Sequence, residues 1–133
     1  MSAHQPFPSF SDAEWYSDPS DHRCPHDAWL ESFEIYEPAE GERSEKRTTA
    51  IVVRLLGAYH DGHITFRYSD VTSYEIRTAK SERGIGDWID DQFTLHSDGS
   101  IKHKINWCMG SNTRSTWLIE AASITYEWKT KKA

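Results

Sequence analysis

From residue 27 onward, polar and apolar positions alternate with a period of two. Phe33 and Ile35 alternate with Ser32 and Glu34, and Ile64, Phe66 and Tyr68 with Thr65, Arg67 and Ser69. Ile101, His103, Ile105 and Trp107 alternate with Lys102, Lys104 and Asn106. Ile124, Tyr126 and Trp128 do the same against Thr125, Glu127 and Lys129. In a strand this pattern sends one set of side chains to a core and the other to solvent. Thr48 to Leu56 is instead dense in β-branched and apolar residues, as expected of a central strand buried on both faces. Val71, Tyr74 and Ile76 predict a further short strand, Trp88 to Leu95 another, and Trp117 with Ile119 one more.

Turn residues punctuate these runs. Asp61-Gly62 between two strand patterns predicts a hairpin turning at that dipeptide. Ser97-Asp98-Gly99 predicts a second hairpin, and Gly110 to Ser115 another turn. Pro38 to Glu45 and Thr78 to Gly86 read as polar loops. No amphipathic helical pattern follows residue 20. Residues 26–133 therefore read as a single, mainly β domain. Six to eight strands would form an antiparallel sheet, as a meander, a sandwich or a partly open barrel.

Residues 1–25 break the pattern and read as an irregular arm. Four of the five prolines lie there. Ser11-Asp12-Ala13-Glu14 matches a capping box, which predicts one helical turn from Asp12 to Ser17. Phe7, Phe10, Trp15 and Tyr16 predict that the arm docks on its own domain.

Composition adds two constraints. The chain has 133 residues, one domain's worth, and is 37% hydrophobic but 13% aromatic, so large rings must supply much of the core. Its charge is uneven. Residues 1–45 hold eleven Asp and Glu against two Arg, so the net −6 arises there and the remainder is slightly basic. The basic residues alternate along strands instead of clustering, which disfavours nucleic acid as a partner. The acidic third could face a basic protein, although a solvated arm and loop is the plainer reading. The N-terminus lacks the pattern of a signal peptide, and no apolar run is long enough to span a membrane. With two cysteines in no metal or redox spacing, a cytoplasmic protein with free thiols is expected.

Candidate chemistry is sparse. His22, Cys24 and His26 would share one side of an extended segment, and His60 and His63 flank the first hairpin turn. These residue types suit zinc, but the spacing matches no known zinc motif, and surface or turn histidines are the simpler reading. Trp88, His103, Trp107 and Trp117 could line a small-molecule pocket, with ordinary core packing favoured over it. His103, amid apolar neighbours, reads as a histidine bonded within the core edge before it reads as a base. Asp87 and Asp91 would share a strand face, most simply a solvated edge. No nucleophile elbow or dinucleotide loop is present, so no catalytic residue is assigned.

Several segments resemble a known group: His26-Asp27-Ala28-Trp29-Leu30, Leu55 to Gly62, Tyr68-Ser69-Asp70-Val71-Thr72, and Ile124-Thr125-Tyr126-Glu127-Trp128. Through them the chain resembles a family of small uncharacterised bacterial proteins that are themselves similar to toxin-immunity proteins, often β-rich and acidic. The resemblance implies a non-enzymatic, protein-binding inhibitor of a bacterial toxin. The alternatives are a small-molecule-binding or enzymatic β barrel and, below it, a metal-binding protein. A homodimer paired through open sheet edges is also compatible with the pattern.

Overall fold

The computed structural model describes residues 3–43, 45–78, 84–110 and 113–131. Among the described residues, nine strands run in chain order: β1 (Ala3–Pro6), β2 (Trp29–Tyr36), β3 (Ala39–Glu40), β4 (Lys46–Arg47), β5 (Ala50–Leu56), β6 (Gly62–Glu75), β7 (Asp87–Leu95), β8 (Ile101–Cys108) and β9 (Arg114–Thr130). Seven form one antiparallel sheet in the order β1-β9-β6-β5-β2-β7-β8, and β3 with β4 makes a small second ribbon. The mainly β, antiparallel architecture expected from the period-two pattern is what forms. Among the described residues, no helix is long and apolar enough to cross a membrane.

The sheet curls because β9 uses both of its edges. Its first half pairs with β8, from Arg114↔Cys108 to Ala121↔Ile101, while its other edge pairs with β6 from Leu118 to Thr130. The result is a partly open barrel. Its wall is continuous through β8, β9, β6, β5 and β2, and open between β2 and β7. At that seam the two strands meet in one residue pair, Trp29↔Asp87. Two loop bonds tie the same end: Asp27 N–H to the Trp88 carbonyl at 2.7 Å, and Trp88 N–H to the Ala28 carbonyl at 3.1 Å.

Most strand expectations hold. β5 lies between β2 and β6, and only Arg54 of its seven residues is exposed. Ile101, His103, Ile105 and Trp107 are all buried on one face of β8. Three expectations need correction. Val71, Tyr74 and Ile76 do not belong to a separate strand: β6 runs on to Glu75 through a register shift after Val71. Trp117 and Ile119 share a single 17-residue β9 with Ile124, Tyr126 and Trp128. The loop after β2 holds the β3–β4 ribbon.

The hairpin expected at Asp61-Gly62 forms between β5 and β6, but it turns one step earlier. The connection spans residues 57–61, closed by Gly57 N–H to the Gly62 carbonyl and His60 N–H to the Gly57 carbonyl. His60 takes the left-handed conformation at φ 59°, and Gly62 is already in β6. Gly62 is needed for space: a Cβ there would overlap the Trp128 ring. The second hairpin turns where expected, with Gly99 left-handed at φ 91° and Asp98 Oδ1 accepting from Ser100 N–H and Oγ–H. Of the loop Thr78 to Gly86, residues 79–83 lie outside the described residues, as do 111 and 112 of the Gly110–Ser115 turn.

The arm is part of the barrel. Its β1 pairs with the C-terminal half of β9, and Phe10 is fully buried. The Phe10 ring stacks on Tyr126 at 5.6 Å and meets Phe66, Phe93 and Tyr16 edge-on. The helical turn is a 3-10 turn over Glu14–Ser17, and the capping box does not form: Ser11 Oγ donates to the Pro8 carbonyl at 3.1 Å. The next turn is tied down from both ends. Tyr126 Oη donates to the Arg23 carbonyl at 2.6 Å, and the Arg23 guanidinium lies 4.6 Å from the Trp15 ring centre.

Candidate functional site

Two regions of the barrel hold groups that hydrogen bonding and packing alone do not exhaust: a polar array inside it and the open seam. The array begins with a bulge. The register of β7 against β8 slips between Trp88 and Asp90. Before the slip an even-numbered side chain, Trp88, faces the core; after it the odd-numbered Asp91 and Phe93 do. Asp87 and Asp91 therefore do not share a face, because one extra residue inverts the alternation. Asp91 leaves the solvated edge expected for it, and its side chain is only 11% exposed.

There it meets His103 from β8. Asp91 Oδ2 lies 2.6 Å from His103 Nε2 and 2.6 Å from Tyr16 Oη of the arm. His103 Nδ1 lies 2.7 Å from Tyr68 Oη of β6. One proton arrangement satisfies every group: Nε2–H and Tyr16 O–H donate to an ionised Asp91, and Tyr68 O–H donates to Nδ1. The His103 ring is fully buried and stacks on Phe93 at 4.0 Å. Burial first, and then the Asp91 charge, push the Tyr16 and Tyr68 phenols well above their ordinary range. Both imidazole nitrogens are engaged, so His103 offers no free lone pair to a substrate. The array joins arm, β6, β7 and β8, and its first task is structural.

The three tryptophans proposed with His103 as a ligand wall are core. Trp88, Trp107 and Trp117 are at most 1% exposed and pack in series, with ring centres 5.5 Å and 5.0 Å apart. Trp117 Nε1 donates to the Arg77 carbonyl at 3.0 Å, whereas Trp107 Nε1 is buried without a hydrogen-bond partner among the described residues.

The five metal candidates are dispersed. Turns at residues 22–23 and 26–27 replace the extended segment expected there. His22 pairs with Asp61 and stacks on Tyr59 at 4.0 Å, while Cys24 is buried and donates to the Tyr16 carbonyl. His26 Nδ1 bonds the Ile89 carbonyl at 2.7 Å. His60 meets the Trp29 ring, and His63 pairs with Glu31 at 2.7 Å. Among the described residues no three His, Cys, Asp or Glu side chains stand together as metal ligands would. Burial raises the Cys24 thiol above its ordinary range, which keeps it a thiol. Asp61 does more than turn the chain: through His22 it ties the arm to the first hairpin.

The seam presents a different surface. Past Trp29, the edge of β2 that faces away from β5 has no strand partner among the described residues. Glu34, Ile35, Tyr36 and Glu37 are exposed in succession. Trp29, half exposed, and Leu30 border a groove of ≈ 660 Å³ that continues along Gly84, Ile85, Gly86 and Asp87. Sequence reasoning did not single out this edge of β2 or Glu37 beyond it. An alternating strand looks the same whether or not a neighbour covers its edge. The one available signal was glutamate at positions 31, 34 and 37.

No known protein family, no curated protein and no solved structure matches this chain.

Proposed function

We propose that this protein is a non-enzymatic binding domain that takes a basic, extended segment of a partner protein along the open edge of β2. The observation that carries the reading is that edge. Its backbone N–H and C=O groups lack a strand partner among the described residues, and its exposed side chains include Glu34, Ile35 and Tyr36, followed just past the strand by the exposed Glu37. An added strand would satisfy the backbone, while alternate side chains set specificity. Trp29 and the groove beside it supply an aromatic anchor at one end of the edge.

Charge supports a partner different from the protein itself. Pairing two copies through β2 would bring their glutamates together, which opposes a homodimer at this edge. A basic segment would be attracted instead, and association would slow as salt rises. In the immunity-type reading, the partner is a basic bacterial toxin and binding neutralises it.

The test begins with the protein encoded beside this one in its native genome, the natural candidate for a neutralised toxin. Binding is measured for the parent protein and for a Glu34→Lys, Glu37→Lys double variant. Tight, salt-sensitive binding that the double variant loses is the expected result. A complex that the charge reversal leaves intact would remove β2 as the interface. No binding and no protection of cells from that neighbour would remove the immunity-type reading.

A further inference from the structure

A second cleft, of ≈ 340 Å³, lies between the arm and β7. Its aromatic lining comes from Phe93 and the edge of Tyr16, while the core ring of Trp88 reaches it with only 1% of its surface. Its charged lining is acidic: Asp90 stands exposed and Asp91 is nearly buried. Among the described residues no Lys or Arg borders it. His26 also lines it, but its Nδ1 is engaged by the Ile89 carbonyl.

Asp91 is the nearly buried charge of this cleft. Its two hydrogen bonds both fall on Oδ2, from a phenol and an imidazole. Among the described residues Oδ1 takes none. The carboxylate is thus held through one oxygen by two donors, with no Lys or Arg ion pair among the described residues. A nearly buried carboxylate gains most from a partner that brings a positive charge and hydrogen-bond donors. The rings beside it would favour a cation and an apolar body together. An anion would meet two like charges.

We propose that this cleft binds a small organic cation, an ammonium or amidinium group carried on a flat apolar body. The cleft shares no residue with the β2 edge, so the two sites stand or fall separately.

Phenethylammonium is the probe, with phenethyl alcohol as its neutral counterpart and phenylacetate as its anionic one. Amide chemical shifts of the isotope-labelled protein are followed in each titration. The expected result is that the ammonium perturbs residues 16–17 and 88–93, that the alcohol binds at least about tenfold more weakly, and that phenylacetate does not bind. Asp91→Asn should weaken ammonium binding by at least about tenfold. That change also touches the core array, so Ser17→Trp, an exposed position in the lining, serves as an independent block. Absence of ammonium-induced shifts would overturn the proposal. So would equal binding of the alcohol, or binding that survives in both variants.

Discussion

β5 and β2 are neighbours in one sheet, and their surroundings could hardly differ more. β5 is hydrogen-bonded on both edges, packed on both faces, and shows one exposed side chain in seven. β2 has β5 on one edge and a single residue pair with β7 on the other. Their compositions follow. Ala50–Leu56 is Ala-Ile-Val-Val-Arg-Leu-Leu, whereas Trp29–Tyr36 spends three positions on glutamate and serine. A strand with two neighbours can dispense with polar residues, while an edge strand needs charge to deter unwanted pairing. The same contrast separates the interior, where the arm and the Asp91–His103–Tyr68 array fill the barrel, from the seam, where a partner could enter.

Alkali should strike the buried phenols of the interior most strongly. Tyr16, Tyr68 and Tyr126 all have phenols raised above the ordinary value of 10.0, chiefly by burial. The unfolded chain would ionise first, so their contribution is fully present below about pH 10 and is lost as pH rises beyond it. Three such groups give a slope approaching about 4 kcal/mol per pH unit. Denaturation midpoints across that range, read beside phenolate absorbance, should show these three titrating only as the protein unfolds. Three phenols ionising freely in the folded protein would contradict the burial of these side chains.

Phe10→Ala comes next. Removing a fully buried ring from the centre of an aromatic cluster should cost about 3–5 kcal/mol in urea denaturation. A loss below about 1 kcal/mol would make the arm an appendage. His103→Leu should cost about 2–4 kcal/mol by stranding Asp91 and Tyr68, and Tyr68→Phe about 1 kcal/mol. A double-mutant cycle between them should show coupling if the array acts as one unit.

Gly62→Ala should cost about 1–3 kcal/mol by overpacking against Trp128, and most of that should return in a Trp128→Leu background. Without recovery, the need for glycine would lie in the backbone. The smallest effect belongs to the seam. Glu34→Lys with Glu37→Lys should shift stability by no more than about 0.5 kcal/mol, since both side chains are exposed, while changing partner binding sharply. A large stability loss there would mean that the edge is structural.

What was legible in the chain follows from how local each feature is. A period of two is a property of consecutive residues, so β5, β8 and the apolar face of β9 could be read directly. The Ser97-Asp98-Gly99 turn was equally local. The aromatics of the arm announced docking, because four large rings in ten residues need a surface. The array was half legible. His103 stood out among apolar residues, but its partner Asp91 was assigned to solvent. A bulge is a mismatch between two strands, and one strand's pattern does not contain it.

Local pattern alone specifies an antiparallel β protein with an aromatic arm and a central strand buried on two sides. Alternation and turn chemistry act over a few residues and need no distant partner. The pairing of β9 on both edges, the open edge of β2 and the meeting of Asp91 with His103 and Tyr16 arise from the folded barrel. So does the room that Gly62 makes for Trp128, 66 positions away in the chain. Each of these depends on which strand lies beside which, and strand order is set by the packing of the whole barrel.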